Sequence, residues 1–351
     1  MTHIDPQTEL ILGNSSKRFS GVTSTMLQLL PFQQDLMPLV ILGKHHLPDG
    51  IPHVSFREFT KLCKNPLANG SPRILHARRN DELIQALIAR TFFGAKIKIV
   101  FTSTAQRHHS RFTRWLMSKV DAIITTCSPA GSYLKRPADA MIPHGIDIDT
   151  FRLKEKSPPS EIIKLGVFGR VRPSKGIDLL IDAVLPVLKA HPQINLSVCG
   201  ETTPKFQAYL NEQKHKLKQA GVAEQVEFLG KVSFNELPGL YRSMDVVFAV
   251  SRKEGFGLTP LEAMASGTAV LTSEAGAWKD IVENGIHGYC VPTNDSKAIR
   301  EKLQEMICDP AKLITMGLAG RKHVEQYYTN QREAEQLCQF FKKLQKSKPS
   351  S

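Results

Sequence analysis

The stretch KLGVFGRVRPSKGIDLLIDAVLPVLKAH, residues 164–191, decides the fold of this 351-residue chain. Its opening residues, KLGVF, form a short apolar run that is typical of a buried parallel strand. The glycines and proline of GRVRPSKG (169–176) then indicate a loop. In GIDLLIDAVLPVLKAH the apolar residues return every three or four positions, as on the buried face of a helix. A strand, a loop and a helix in this order predict one βα unit of a parallel sheet.

The same alternation extends along the whole chain. Strands are predicted in the first half at TELILG (8–13), PLVILG (38–43), RILHA (73–77), KIVFTS (98–103), DAIITT (121–126) and DAMIP (139–143). In the second half they are predicted at KLGVFG (164–169), NLSVCG (195–200), VEFLG (226–230), DVVFAV (245–250), TAVLTS (268–273) and YCVP (289–292). Helical patterns separate them, among them 81–93, 204–221 and 330–345. The prediction is an α/β protein with two Rossmann-like, doubly wound domains facing a cleft, with ligands at the carboxyl ends of the strands.

A charged, proline-containing stretch divides the two halves. TFRLKEKSPPSEIIK (150–164) has no apolar period and reads as an interdomain linker. The predicted domains are therefore 1–152 and 160–327. The last segment, 328–351, contains a basic amphipathic helix that we expect to pack back on the first domain.

Composition excludes several classes of protein. With 41% hydrophobic and 23% charged residues the chain has the balance of a soluble globular protein. No apolar run approaches the ~20 residues that span a bilayer. The N-terminus has no basic region before its short apolar stretch, so we expect no signal peptide. The six cysteines lack the close spacing of zinc or redox motifs. A cytoplasmic location is the expectation.

The formal net charge is +13, and part of it is concentrated between residues 83 and 120. That segment contains no acid and seven basic residues: Arg90, Lys96, Lys98, Arg107, Arg111, Arg114 and Lys119. Such a surface attracts nucleic acid, anionic lipid or phosphorylated glycans, although a solvated helix face would carry the same charges. No helix-turn-helix or aromatic-interleaved motif favours nucleic acid. We expect no nucleic-acid partner and a peripheral contact with the membrane surface.

The loop GRVRPSKG predicts an anion site. Gly169 permits a tight turn and leaves room for a bulky group near the main chain. Arg170 and Lys175 stand just before a helix N-terminus, which itself favours an anion. The arginine offers a fork to phosphate oxygens and the lysine a compact charge. The loop is not a Walker A motif; it is a candidate diphosphate clamp, or else a solvated loop.

A second glycine loop, EGFGLTPLEAMASG (254–267), follows the strand DVVFAV. Glu254 lies in the loop and Glu262 two helical turns further, and carboxylates accept hydrogen bonds from vicinal diols. The two acids can thus hold a sugar and a ribose, unless they are merely a helix-start acid and a surface acid. Backbone N–H groups in the loop could hold hydroxyl or phosphate oxygens; the residues are Phe256, Gly257, Leu258 and Thr259.

Together, GRVRPSKG and SRKEGFGLTPLEAMASGTAVLTSEAGAWKDIVENGIHGYCVP (251–292) resemble the retaining glycosyltransferases of the GT-B class, glycosyltransferase family 4, which includes sucrose synthases and glycogen synthases. The resemblance is dense over residues 160–295. It implies that domain 160–327 binds a nucleotide-diphospho-sugar and domain 1–152 the acceptor. A nucleotide-sugar epimerase of the same shape would need a different set of acids and histidines.

The resemblance also assigns roles to single residues. It implies that Arg170 and Lys175 hold the donor diphosphate, that Glu254 contacts the transferred sugar and that Glu262 binds the ribose hydroxyls. These basic side chains then take the role of a cation, and no metal or other cofactor is expected. Asp147 and Asp149 look like the D-x-D metal motif of other transferases, but HGIDIDTF (144–151) is similar to the family's stretch entering the linker.

In the first domain, SSKRFSGVTSTML (15–27) stands where relatives have paired glycines near the donor phosphate; here only Gly21 matches. Relatives also place a histidine after the fourth strand, where this chain has Thr104. HARRND (76–81) and TSTAQRHHSRFTRWL (102–116) are similar to a narrower group, the bacterial lipopolysaccharide inner-core mannosyltransferases that act on the lipid A–Kdo region.

That narrower resemblance implies a GDP-mannose donor and an anionic glycolipid acceptor of the Kdo-lipid A type. The alternative is a UDP-sugar, glucose or hexosamine, transferred to another lipid-linked or surface glycan. The residues expected to bind the acceptor are His76, Arg78, Arg79, Arg107 and His109. His76 has an alternative reading as a core histidine at a strand end.

Overall fold

In a computed structural model of the chain, residues 5–153 and 162–347 are described. Part of the predicted linker, residues 154–161, lies outside the described residues, as do both chain ends. The chain divides into two compact units. One comprises Met1–His144 with Asn330–Ser351, and the other Gly145–Thr329.

Each unit is built on a parallel sheet. The elements of the first part of the chain are β1 (Leu10–Gly13), α1 (Gly21–Leu36), β2 (Leu39–Leu42), β3 (His53–Val54), α2 (Phe56–Leu62), β4 (Arg73–Ala77), α3 (Asn80–Phe92), β5 (Ile97–Ser103), α4 (Arg111–Met117), β6 (Ala122–Thr125), α5 (Ser128–Ser132) and β7 (Ala140–Met141). The strand order is β3-β2-β1-β4-β5-β6-β7. Every strand pairs with its neighbours in parallel.

The second unit repeats this plan. Its elements are β8 (Ile163–Phe168), α6 (Ile177–Ala190), β9 (Ile194–Cys199), α7 (Gln207–Gln219), β10 (Val226–Gly230), α8 (Leu237–Ser243), β11 (Val246–Ala249), α9 (Thr259–Ala265), β12 (Ala269–Ser273), α10 (Trp278–Ile281), β13 (Gly288–Val291), α11 (Ser296–Ile307) and α12 (Pro310–Tyr327). The parallel strands lie in the order β10-β9-β8-β11-β12-β13. The two doubly wound sheets confirm the predicted α/β fold class, and each predicted strand is present.

In both sheets the strand order reverses beside the first strand, between β1 and β4 in one unit and between β8 and β11 in the other. A crevice forms at such a switch point because the two following connections leave on opposite faces of the sheet. Leu12 pairs with His76 at the first switch point, and Val167 with Phe248 at the second. Residues that follow these strands are therefore in position to form a site.

The last helix, α13 (Asn330–Lys346), belongs to the first unit. Its Leu337 and Phe341 are buried in one core with Leu12 of β1 and Met26 of α1. The other face of the first sheet is covered by a separate core that includes side chains of α2, α3 and α4. Strands covered on both faces read as unbroken apolar runs, which explains why the sequence reveals them. No helix in the described ranges is long and apolar enough to cross a membrane.

Candidate active site

Glycines set the shape of the loop between β8 and α6. Gly169 and Gly176 have positive φ angles of +142° and +70°. A Cβ atom on Gly176 would lie 2.1 Å from the carbonyl oxygen of Val250, just past the end of β11. Only glycine allows this approach, so the loop lies directly against the neighbouring strand end. A 3-10 turn, Pro173–Lys175, completes the loop before α6 begins.

This loop brings Lys175 to Glu254, which lies 79 positions further along the chain. The Lys175 ammonium forms an ion pair with Glu254 Oε2, and the two side chains are 21% and 20% exposed. The backbone N–H of Gly255 donates to the other oxygen of Glu254 at 3.2 Å. Arg170, the third residue predicted to be catalytic, is exposed in the same loop. This half-buried pair therefore places one cation and one carboxylate next to the carboxyl ends of β8 and β11.

The second glycine loop is held by a buried tryptophan. The indole N–H of Trp278 donates to the carbonyl oxygen of Gly257 at 2.9 Å. A Cβ atom on Gly257, whose φ is +80°, would lie 2.6 Å from the indole nitrogen. The backbone N–H of Ala277 donates to the carbonyl oxygen of Phe256 at 3.1 Å. Two anchors thus fix the segment 256–259 that leads into α9.

Glu262 lies in the first turn of α9 beside a tyrosine that sequence reasoning missed. The Tyr241 hydroxyl donates to Glu262 Oε2 at 2.6 Å. Burial raises the pKa of the Glu262 carboxyl, while the hydrogen bond from Tyr241 and the charge of Lys175 act in the opposite direction. Tyr241 itself is fully buried and stacks on the Phe168 ring, with 3.9 Å between the centroids. No local motif marks Tyr241 because it stands in a separate short helix, α8.

Two further residues tie the glycine loops together. The guanidinium of Arg252 donates through Nη1 and Nη2 to the two oxygens of Asp178, each at 2.7 Å. Arg252 also donates to the carbonyl oxygen of Pro173. Burial alone would raise the pKa of Asp178, but hydrogen bonds from Arg252 and Tyr209 outweigh it and lower the pKa. A bidentate pair fixes orientation as well as distance. Arg252 stands two positions before Glu254, and this position is a sequence signal that could have identified it as a residue of the site.

A small cavity lies between these groups at the ends of β8 and β11. Its lining includes Gly169, Lys175, Ser251, Thr259 and Trp278. This is the switch point of the second sheet, where ligands of doubly wound folds bind. Of the residues predicted for the donor site, Gly169, Lys175 and Thr259 line this cavity, and Glu254 adjoins it through its ion pair with Lys175.

In the first unit, His76 lies in the core. It is 1% exposed, and its Nε2 forms a 2.7 Å hydrogen bond with the Thr102 hydroxyl. Its ring packs edge-on against Phe341 of α13, with 5.1 Å between centroids. Burial lowers the pKa of His76 well below its ordinary value. This enclosure between the sheet and α13 favours the alternative interpretation of His76 as a core histidine.

Arg78 and Arg79 are adjacent in sequence but differ in their hydrogen bonds. Arg78 follows β4, and its Nη1 and Nη2 are buried without a hydrogen-bond partner among the described residues. Burial lowers its pKa, against the opposing charges of Glu82 and Glu333. Arg79 instead donates to Ser20 Oγ at 3.0 Å and to Thr23 Oγ1 at 2.7 Å. Arg79 thus holds the start of α1, whereas the guanidinium of Arg78 is desolvated without such hydrogen bonds.

Of the remaining predicted residues of the first unit, Arg107 and His109 lie in the loop after β5, and Gly21 begins α1. Arg107 and Gly21 are exposed, and a Cβ on Gly21 would meet nothing within 4 Å. His109 is partly buried, and its Nε2 lies 3.1 Å from the Ser103 hydroxyl. Burial lowers the pKa of His109, and the charges of Arg107 and Arg114 add to this. His109 is therefore disposed to be neutral near pH 7.

The D-x-D stretch forms a turn. Asp147 Oδ1 accepts from the backbone N–H groups of Asp149 at 3.0 Å and Thr150 at 3.1 Å. Its Oδ2 accepts from the Thr150 hydroxyl at 2.6 Å. Across residues 5–153 and 162–347, no group of three histidine, cysteine or acidic side chains is arranged to hold a metal ion.

Sequence comparison with known proteins indicates one family of enzymes. The family model described as "Glycosyl transferases group 1" matches residues 148–323. The chain is 36% identical over 346 residues to the lipopolysaccharide core biosynthesis mannosyltransferase LpcC of Rhizobium leguminosarum, with 96% of each chain covered. It is 34% identical to LpsB of Rhizobium meliloti, which has the same description, over 96% of this chain and 97% of the relative.

Solved structures give the same fold. The crystal structure of Anabaena HepE in complex with UDP has a TM-score of 0.79 and 18% identity, and covers 96% of this chain and 100% of that one. The two parallel α/β sheets are the architecture that this chain shares with that structure. The chain belongs to the group 1 glycosyltransferase family, and it is a glycosyltransferase.

Proposed function

We propose that this glycosyltransferase moves mannose from GDP-mannose to the Kdo/lipid A inner core of lipopolysaccharide, with retention of configuration. The ion pair of Lys175 and Glu254 at the second switch point is the observation that carries the reaction type. The sugar and the acceptor are taken from the two relatives named as lipopolysaccharide core mannosyltransferases, which match over nearly the whole chain. The alternative is a UDP-sugar donor, glucose or hexosamine, with another lipid-linked or surface glycan as acceptor.

On the donor side, Lys175 and Arg170 take the diphosphate. Negative charge grows on the departing diphosphate in the transition state, and cations already in place stabilise it most. When the diphosphate arrives, Lys175 gains a second anionic partner and Glu254 can accept a sugar hydroxyl. Glu262 binds the ribose through its Oε1, which has no hydrogen-bond partner among the described residues. The leaving phosphate acts as the base for attack from the same face.

The glycine loops complete the donor site. Gly169 leaves space beside Lys175, since a Cβ atom there would meet the lysine stem at 3.5 Å. The segment from Phe256 to Thr259, which includes Gly257 and Leu258, offers backbone groups to the donor. Gly21 at the start of α1 lets the first unit approach a phosphate. The basic residues take the role of a cation, so transfer proceeds without a metal ion.

On the acceptor side, Arg78 is the primary contact. A buried guanidinium without partners is costly unless an anion completes it. Kdo carboxylates and lipid A phosphates are anions of suitable geometry for an arginine fork. Arg107 and His109 add contacts from the loop after β5. His76 and Arg79 support this region from within the fold.

The protein reaches its lipid-linked acceptor by peripheral contact at the inner face of the membrane. Phe112 and Trp115 of α4 are 52% and 54% exposed and stack with 6.1 Å between ring centroids. Exposed aromatic rings near Arg111 and Lys119 have the composition of a membrane-interface surface. Of the basic run, Lys98 is turned inward, because its ammonium donates to carbonyl oxygens of Leu344 and Ser347 at 2.7 and 2.6 Å.

One assay tests the proposal. The purified protein is incubated in EDTA with Kdo-lipid A and each of a panel of GDP- and UDP-sugars, and the product is weighed by mass spectrometry. We expect a mass gain of one hexose with GDP-mannose alone. Transfer from a UDP-sugar only would establish the alternative, and no transfer from any donor would reject both.

A further inference from the structure

A second cavity lies in the first unit, between α4, β6 and the segment that follows α5. Its volume is about 220 Å³. Sites that enclose whole drug-sized ligands measure roughly 300–1,000 Å³, so this cavity accommodates only part of a ligand. None of the residues predicted from sequence to bind donor or acceptor lines it, except His109 at one side.

The walls of the cavity are apolar. Met117 and Ile123 form buried parts of the lining, at 6% and 1% exposure, and Leu134 and Tyr133 are half-buried. Apolar cavities hold water poorly, and covering their walls with hydrocarbon is favourable because it removes apolar surface from water. The ring of His108 packs edge-on against Tyr133, with 5.2 Å between centroids, and supports that wall. The shape and chemistry of the interior favour a hydrocarbon chain.

The rim of the cavity is cationic and partly uncompensated. Arg114, Lys135 and Arg136 contribute to the lining, which contains no acidic residue. Arg136 is paired with Asp139 at 2.8 Å. Arg114 and Lys135 form no ion pair with any residue in the described ranges, so two positive charges face the opening without a counter-charge. An anionic group beside the hydrocarbon chain would supply that counter-charge.

A ligand that matches only the apolar walls or only the cationic rim would leave the other part of the cavity without a partner. A free phosphate would satisfy the cations and leave the apolar walls uncovered, and a neutral alkyl chain would do the reverse. A glycerophospholipid carries both groups on one glycerol, with its phosphate at the membrane surface and its two acyl chains next to it. We propose that this cavity binds one acyl chain of an anionic glycerophospholipid, with the lipid phosphate at Arg114 and Lys135.

The position of the cavity on α4 agrees with this occupant. The same seven-residue helix carries Arg114 and Met117 toward the cavity and the exposed, stacked Phe112 and Trp115 elsewhere on its surface. The aromatic rings would lie among the lipid head groups while the cavity holds an acyl chain, so both would contact the same membrane. This lipid site goes beyond sugar transfer and requires neither the donor nor the glycolipid acceptor.

Calorimetry on the full chain tests the chemistry of the ligand. Dodecyl phosphate, dodecyl maltoside and inorganic phosphate are titrated separately below the micelle concentration. We expect dodecyl phosphate to bind at least tenfold more tightly than the other two. Equal binding of the maltoside would reduce the site to an apolar cavity, and equal binding of inorganic phosphate to a surface anion site. Either result, or no binding at all, would overturn the proposal.

Variants locate the site. The double variant Arg114→Ala/Lys135→Ala should lose at least tenfold in affinity for dodecyl phosphate, whereas the control Lys61→Ala, exposed in α2, should not. Circular dichroism verifies that both fold. Unchanged binding in the double variant would place the ligand elsewhere and refute the assignment.

A competition arm identifies the source of the lipid. Short-chain phosphatidylglycerol should displace dodecyl phosphate, and Kdo-lipid A should not. Displacement by Kdo-lipid A alone would make the cavity part of the acceptor site and overturn the glycerophospholipid assignment. Because all three arms measure binding without transfer, their failure leaves the proposed mannosyl transfer standing.

Discussion

The two switch points have the same strand order around them, but their charged side chains differ in whether they are paired. At the second, Lys175 and Glu254 neutralise each other in a half-buried pair. At the first, Arg78 carries its charge near Glu82 and Glu333, but neither of its buried terminal nitrogens has a hydrogen-bond partner within the described part of the chain. The Lys175–Glu254 pair can exchange partners when a ligand arrives, whereas the terminal nitrogens of Arg78 would gain their first hydrogen bonds. Under the proposed function, the donor side is therefore satisfied without its ligand and the acceptor side is not.

Removing the cation of the compensated pair should have the largest effect. Lys175→Ala is expected to lower kcat by about 10²–10³, as for loss of a preorganised group that stabilises transition-state charge. Steady-state kinetics measures this, and thermal unfolding should show a folded protein. Lys189→Ala, exposed at the far end of α6, is the matched control. Full transfer activity in purified Lys175→Ala would sink the donor-site assignment.

The neighbouring arginines separate binding from folding. Arg78→Met should raise the acceptor KM by about tenfold to a hundredfold, since hydrogen bonds to charged groups contribute about 1.5–3 kcal/mol each. Hydrolysis of the donor in the absence of acceptor should be unchanged. Arg79→Met loses the contacts to Ser20 and Thr23 and should lower the free energy of unfolding by about 2 kcal/mol.

Kinetics and urea denaturation of the two variants measure these effects. If Arg78→Met unfolds more easily than Arg79→Met while its acceptor KM is normal, then the contrast between the two arginines is wrong.

Breaking the link between the glycine loops should have an intermediate effect. Arg252→Ala removes the bidentate contact to Asp178, and we expect about a tenfold loss in kcat/KM, because displaced loops lose orientation of the donor. The adjacent, exposed Lys253→Ala serves as control. In a double-mutant cycle with Asp178→Ala, the two losses should not add. Additive losses would show that the two side chains act separately.

The pH dependence of donor binding should change least. Burial raises the pKa of Glu262, and the Tyr241 hydroxyl opposes that rise. Tyr241→Phe therefore raises the pKa of Glu262 further, and less carboxylate is ionised at a given acidic pH. The donor KM should increase by about threefold, and the increase should appear first at acidic pH. The acidic limb of the profile of donor KM against pH should therefore move to higher pH. A profile that moves to lower pH, or that does not move, would contradict a ribose contact through ionised Glu262.

Much of the fold could be predicted because it depends on periodicity. The strand RILHA is present with its predicted bounds, 73–77, and all five of its residues are buried, as in strands covered on both faces. The edge strand VEFLG also has its predicted bounds, 226–230, although its Glu227 is exposed. The two-residue strand β3 was not predicted, because His53 and Val54 do not lie in an apolar run, whereas the equally short β7 was predicted from DAMIP. Arg252 and Tyr241 were missed for another reason. Their roles depend on partners 74 and 21 positions away.

The sequence by itself determined the two parallel α/β sheets and the glycine loops that follow β8 and β11, because those features follow from local pattern and backbone freedom. It also named Lys175 and Glu254 as candidates. Only the tertiary structure decided that these two are paired, that His76 belongs to the core, and that Arg78 is unpaired while Arg79 is bound within the fold. The reason is physical: the partner of a side chain is set by which strand ends become neighbours, and adjacent letters such as Arg78 and Arg79 then face different surroundings.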